Sequence, residues 1–148
     1  MVPSLTPIFD LKVDSNADLL FYTAGNALFF SRLDAVQETE LYRHSSSSLL
    51  TSLDLDPERK LIFVGARVCA GCSSGEILHV SYTGALQRST PTLGPVFGIA
   101  VDSVNQQIFA NLGAASLTIQ PRCTIPPPVE ECFCTVSVSV VGCESVSA

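Results

Sequence analysis

Apolar and polar residues alternate along "FDLKVD", residues 9–14, so that Phe9, Leu11 and Val13 fall on one side and Asp10, Lys12 and Asp14 on the other. That period of two belongs to a half-buried β-strand. The outline that begins here, "LKVDSNADLLFYT" (11–23), returns at "LDLDPERKLIFVG" (53–65) and at "IAVDSVNQQIFAN" (99–111). In each copy an apolar-x-apolar-Asp unit is followed seven residues later by a Phe: Asp14 and Phe21, Asp56 and Phe63, Asp102 and Phe109. The segments "LLFYT", "KLIFVG" and "QQIFAN" are short and rich in aromatic and β-branched residues, and turn formers such as Ser15-Asn16, Asp56-Pro57 and Ser103 precede them. Each copy therefore predicts a β-hairpin.

Third strands are predicted at 27–33, 76–82 and 115–120, and weaker fourth strands at 38–44 and 85–89. The copies recur after 42 and then 46 residues, measured from Asp14 to Asp56 to Asp102, close to the roughly 40 to 50 residues of a four-stranded propeller blade. A blade cannot bury its own apolar side chains, and its neighbours do so on both faces. The expected fold is all-β: a partial β-propeller of about three four-stranded antiparallel blades at about 5–48, 49–94 and 95–120, followed by an irregular Cys/Pro-rich tail at 121–148. Repetition then lets each unit become its neighbour's core. Three units are fewer than the four to eight blades that close a ring, so either the chain is part of a longer one, or two copies complete a ring together, or the C-terminal tail adds an irregular fourth unit; the first is the expectation, with self-association when the piece is expressed alone.

Charge narrows the partners. A net charge of −6 with eight scattered basic residues argues against nucleic acid or an anionic membrane, both of which call for clustered Lys and Arg. No run reaches the 18 or so apolar residues of a membrane-spanning helix, and the start, "MVPSLTPIFDLK", lacks the basic and apolar regions of a secretory signal. Six cysteines clustered at Cys69/Cys72 and Cys123/Cys132/Cys134/Cys143 suit an oxidising compartment, so an extracellular or ectodomain setting is expected.

The Asp closing each first strand is of the type that accepts hydrogen bonds from the turn that follows it, and Asp14, Asp56 and Asp102 are read as structural turn residues. A calcium site would need their oxygens to converge, and blade geometry holds equivalent positions apart. No metal or cofactor is expected.

At these residues the chain resembles the YWTD repeats of LDL-receptor class B propellers and is similar to NHL-type propeller repeats. "LDLDPERKLIFVG" and "GEILHVSYTG" follow the YWTD outline, and "FGIAVDSVNQQIFAN" follows its start; "LFYTA", "IFVGA" and "IFANL" stand at the signature tetrapeptide. The resemblance implies a ring of six blades, an extracellular setting, flanking EGF-like modules and protein ligands in place of catalysis.

Past residue 120, "PRCTIPPPVEEC" carries a Pro triplet that cannot join a central strand. The spacing Cys123-x8-Cys132-x-Cys134-x8-Cys143 resembles the last four cysteines of an EGF-like module. That resemblance implies a Cys134–Cys143 bond, with Cys123 and Cys132 either paired together or left with their partners missing. "TVSVSVVG" (135–142) alternates Val with Ser and reads as another strand. Two further readings are a closed thiolate zinc site from Cys69, Cys72, Cys132 and Cys134, and a local or intermolecular disulfide at "CAGC", which lacks the βαβ context of a thioredoxin-like motif.

A meander places the loops 65–75, 45–48 and 90–95 at one end of the sheets, and binding residues concentrate on such loops. Arg43, Arg67 and Ser74 are the candidate ligand-binding residues there, and a protein ligand or an adjoining blade is the expected partner. The inventory for catalysis is His44, beside the serine run, and His79, within a strand; no phosphate loop or HExxH occurs. The primary expectation is a noncatalytic protein-binding or scaffold segment. The alternative is a propeller-type metal-dependent hydrolase or lactonase.

Overall fold

The computed structural model describes residues 6–35, 37–69, 71, 73–112, 116–121 and 137–140. Of the predicted cysteines, Cys72, Cys123, Cys132, Cys134 and Cys143 lie outside these residues, as does most of the tail read as an EGF-like remnant. The described residues form three four-stranded antiparallel sheets and no helix. The first sheet runs β1 (Ile8–Asp14), β2 (Leu19–Ala24), β3 (Ala27–Arg32) and β4 (Glu38–Arg43). The second holds β5 (Leu49–Asp56), β6 (Leu61–Arg67), β7 (Gly75–Ser81) and β8 (Leu86–Thr92). The third comprises β9 (Gly98–Asp102), β10 (Gln107–Asn111), β11 (Ser116–Pro121) and β12 (Ser137–Val140). Each is a plain meander. β12 comes from the Val/Ser alternation at 135–142 and pairs Ser137 with Ile119 and Val140 with Ser116, giving the third sheet a fourth strand across the Pro-rich segment.

The three hairpins repeat residue for residue. Asp14 pairs with Leu19, Asp56 with Leu61 and Asp102 with Gln107; behind them Lys12, Asp54 and Ala100 pair with Phe21, Phe63 and Phe109. In every copy the fourth residue after the Asp is left-handed: Asp18 at φ 55°, Lys60 at 54° and Gln106 at 57°. The Asp carboxylates receive the turn. Asp14 Oδ1 accepts the Asn16 and Ala17 amides (3.0 and 3.2 Å), Asp102 Oδ1 accepts those of Val104 and Asn105 (both 3.0 Å), and Asp56 Oδ1 accepts that of Arg59 (3.4 Å). A short acceptor at this point satisfies the donors that a four-residue turn leaves unpaired.

Neighbouring sheets meet through their first strands, β1 against β5 and β5 against β9. Between the first and second sheets, Phe21, Leu28, Leu53, Leu55, Ile62, Val64 and Leu78 form one buried cluster. Ile77, Val96, Ala110 and Leu112 form the cluster between the second and third. Carboxylates of one first strand reach amides of the next: Asp10 Oδ2 accepts Leu53 N (2.9 Å) and Asp54 Oδ2 accepts Val101 N (2.8 Å).

This geometry reverses the expectation for β1. Its polar side, Asp10, Lys12 and Asp14, faces the second sheet, and Lys12 Nζ lies 3.7 Å from Asp54. The apolar side faces out, with Leu11 54% and Val13 49% exposed. Period two identifies the strand, but among the described residues no sheet packs on the apolar side of β1.

The turn after β7 seats the second sheet on the first. Gly84 has φ +87°, and a Cβ there would stand 2.3 Å from the carbonyl oxygen of Leu41 on β4. Gly84→Ala is expected to cost about 2 kcal/mol through left-handed strain and displacement of this contact. Denaturant unfolding checks it, and an unchanged midpoint would mean that the turn does not rest on β4.

Candidate functional site

The Asp-capped turns occupy one end of the stack; the connections leaving β2, β4, β6 and β8 occupy the other. Asn26, in the tight turn between β2 and β3, organises this second end. Its Nδ2 donates to the carbonyls of His44 (2.9 Å) and Ser45 (3.2 Å), while its Oδ1 accepts from Arg43 Nη1 (3.0 Å). The serine run folds on itself and onto the second sheet. Ser45 Oγ and Ser48 Oγ lie 2.7 Å apart, and Ser48 Oγ and Ser47 Oγ donate to the Val68 carbonyl at 3.0 and 3.4 Å. The Val68 amide in turn donates to the Ser74 carbonyl (3.3 Å), closing the loop between β6 and β7.

A polar seam lies beneath these loops. His44, at the end of β4, places Nε2 2.6 Å from Glu76 Oε1 at the start of β7, and Nδ1 3.1 Å from the Tyr42 hydroxyl. Ser89 of β8 donates to the other Glu76 oxygen. Glu76 accepts from His44 Nε2, and the Tyr42 hydroxyl shares a hydrogen bond with Nδ1, so both ring nitrogens are engaged. Burial, and then the Glu76 charge, push Tyr42 above its ordinary range, so it remains a donor at neutral pH.

The structure brings the sequence-predicted residues to the same end of the stack, with local partners. Arg43 forms a fork on Glu40, with Nε 2.9 Å from Oε1 and Nη2 on the second oxygen. That contact raises Arg43 and holds Glu40 below its ordinary value. Arg67 Nε donates to the Cys69 carbonyl (3.1 Å), and Cys69 is disulfide-bonded. Ser74 contributes the carbonyl that receives Val68. The serine run does not engage His44, whose ring nitrogens are taken by Glu76 and Tyr42. His79 packs edge-on against Phe63, centroids 4.7 Å apart.

Sequence reasoning missed the His44–Glu76 pair and the organising role of Asn26. The one local signal was the i, i+2 spacing of Tyr42 and His44, which puts both on one side of a strand. Glu76 is 32 residues away, a separation that periodicity does not bridge. At the opposite end, the strand-end Asp residues do more than close their own turns. Asp14 Oδ2 receives the Tyr82 hydroxyl of the second sheet at 2.9 Å and lies 3.5 Å from Lys60 Nζ.

Among the described residues no three His, Cys, Asp or Glu side chains gather in a metal-holding group, and no helix is long and apolar enough to cross a membrane. The arrangement defines a class: an all-β protein of stacked four-stranded meanders that presents one cross-linked loop end. No family model matches the chain, and no curated protein matches it either. Solved structures do. Hydrazine synthase of Kuenenia stuttgartiensis aligns with TM-score 0.62 at 13% identity, over 78% of this chain and 33% of that one. A functionally unknown protein from Desulfotomaculum acetoxidans aligns with TM-score 0.60 at 13% identity, covering 77% and 37%. A chain of the mitotic checkpoint complex aligns with TM-score 0.58 at 12% identity, covering 78% and 33%. The likeness is one of β-propeller-like fold, and this chain spans about a third of the length of these chains.

Proposed function

We propose that the chain is a noncatalytic, protein-binding segment of a larger extracellular β-propeller protein of the YWTD or NHL-like kind, with the loop end as its contact surface. The observation that carries this reading is the cross-linking of loops from two sheets. Ser47 and Ser48 of the connection after β4 both bond Val68 of the loop after β6, so residues from separate blades share one rigid surface. Loops held in this way bind with little ordering cost. The disulfide at Cys69 supports an oxidising setting, and Arg43 and Arg67 supply positive charge on an otherwise acidic chain.

Selection of displayed peptides on the immobilised chain tests the reading. Selected peptides should lose affinity about tenfold on Arg67→Ala, roughly the value of one charge-assisted hydrogen bond, with the thermal midpoint unchanged. Binding indifferent to Arg43→Ala and Arg67→Ala would place the contact surface elsewhere. Stoichiometric calcium or zinc together with turnover of lactones or esters would favour a metal-dependent hydrolase instead.

A further inference from the structure

The three sheets carry the same backward-facing apolar set. Relative to the strand-end Asp, the positions three and one before it and six and eight after it hold Leu53, Leu55, Ile62 and Val64 in the second sheet, buried against the first. In the third they hold Ile99, Val101, Ile108 and Ala110, with Ile108 1% and Ala110 0% exposed beside the second sheet. In the first they hold Leu11, Val13, Leu20 and Tyr22, and there Leu11 and Val13 are about half exposed. The sets of the second and third sheets receive the forward face of the sheet before them, and that face carries the repeated Phe. Phe21 and Phe63 are 0% exposed in this role. Phe109 holds the same register, opposite Ala100, and is only partly buried.

One chain therefore offers both halves of a contact that it makes twice internally. We infer that the outward face of the first sheet receives the forward face of the third sheet of a second copy, head to tail, with Phe109 of one copy against Leu11, Val13 and Leu20 of the next. The contact is heterologous, because the two copies use different faces. It continues the packing of the first sheet on the second and of the second on the third. The blade-segment reading underlies this inference, but the loop end takes no part in the contact, so failure of one leaves the other standing.

One difference between the sheets sharpens the test. Asp54 bonds the amide of Val101, and its counterpart in the third sheet is Ala100, which is exposed. Ala100→Asp would offer the same acceptor to Val13 N of the second copy.

Sedimentation of the full chain over a range of concentrations should show species heavier than the 15.7 kDa monomer. Leu11→Glu should abolish them, and Phe109→Glu should do so independently. An equimolar mixture of the two variants should restore a two-chain species, because one intact pair of faces remains. Ala100→Asp should tighten assembly on the order of tenfold. Leu93→Glu, at a side chain 80% exposed and outside both faces, should change nothing. A wild-type chain that stays monomeric, or assembly that survives Leu11→Glu, would overturn the inference. If Phe109→Glu fails to fold by circular dichroism, Leu11→Glu and Ala100→Asp decide the matter, and no change in either overturns it.

Discussion

Phe63→Ala is expected to destabilise the protein by about 3 to 5 kcal/mol, the range for deleting a buried aromatic ring whose site does not collapse. Phe63 is fully buried and sits between Asp54 on β5 and His79 on β7. Its ring packs edge-on against His79. It shares a strand face with Gly65, where an added Cβ would stand 2.5 Å from both Ser52 Oγ and Val96 Cγ1. Space on that side of β6 is already filled by the segment leading into the third sheet, so the neighbours have little room to relax into the void. Denaturant unfolding monitored by far-UV circular dichroism measures the effect. A loss under about 1 kcal/mol would show the ring at a surface, since exposed positions tolerate change at that level.

Asp14→Ala is expected to cost about 3 kcal/mol near neutral pH, because it removes the buried carboxylate that two turn amides, Tyr82 and Lys60 share. The Asp14 side chain is 1% exposed. It serves two turn amides, the Tyr82 hydroxyl and Lys60, whose ammonium also lies 5.2 Å from the Tyr82 ring centre. Burial of the carboxyl opposes its ionisation, but the Tyr82 hydroxyl, the Ala17 and Asn16 amides and the Lys60 charge outweigh that and hold it below its ordinary 3.8. A depressed folded-state value fixes the sign. The contribution is fully present above the unfolded value near 3.8 and is lost as pH falls through the lower folded value. The stability difference between wild type and Asp14→Ala should therefore hold constant down to about pH 5 and shrink below about pH 4. A difference independent of pH would show that Asp14 acts through packing and not through its charge.

Much of this was legible in the chain. The spacing of Asp14, Asp56 and Asp102 from their Phe partners locates three hairpins whose register is the same to the residue. The local chemistry of Asx-type turns explains why Asp stands at those positions. The strand at 135–142 was readable from its Val/Ser alternation, although its pairing with β11 was not, since a Pro-rich segment intervenes and nothing local states which edge it joins. Alternation also could not say which side of β1 faces the stack. The answer rests on carboxylate-to-amide bonds spanning 43 and 47 residues, Asp10 to Leu53 and Asp54 to Val101. The candidate site divides the same way. Arg43, Arg67 and Ser74 followed from meander topology, which sorts connections to one end or the other, whereas His44–Glu76 joins two sheets and exists only once they are packed.

The account's central claim is that the repeated hairpins bury one another's apolar faces, and nuclear Overhauser contacts between side chains test it most directly. The stacked arrangement predicts cross-peaks between the Phe21 and Tyr82 rings, whose centroids are 4.6 Å apart across the first and second sheets. It also predicts cross-peaks between the methyl groups of Ile77 and Ala110, which share a cluster across the second and third. Strong contacts within each meander with none between Phe21 and Tyr82 or between Ile77 and Ala110 would mean that the sheets do not stack, and would contradict the account.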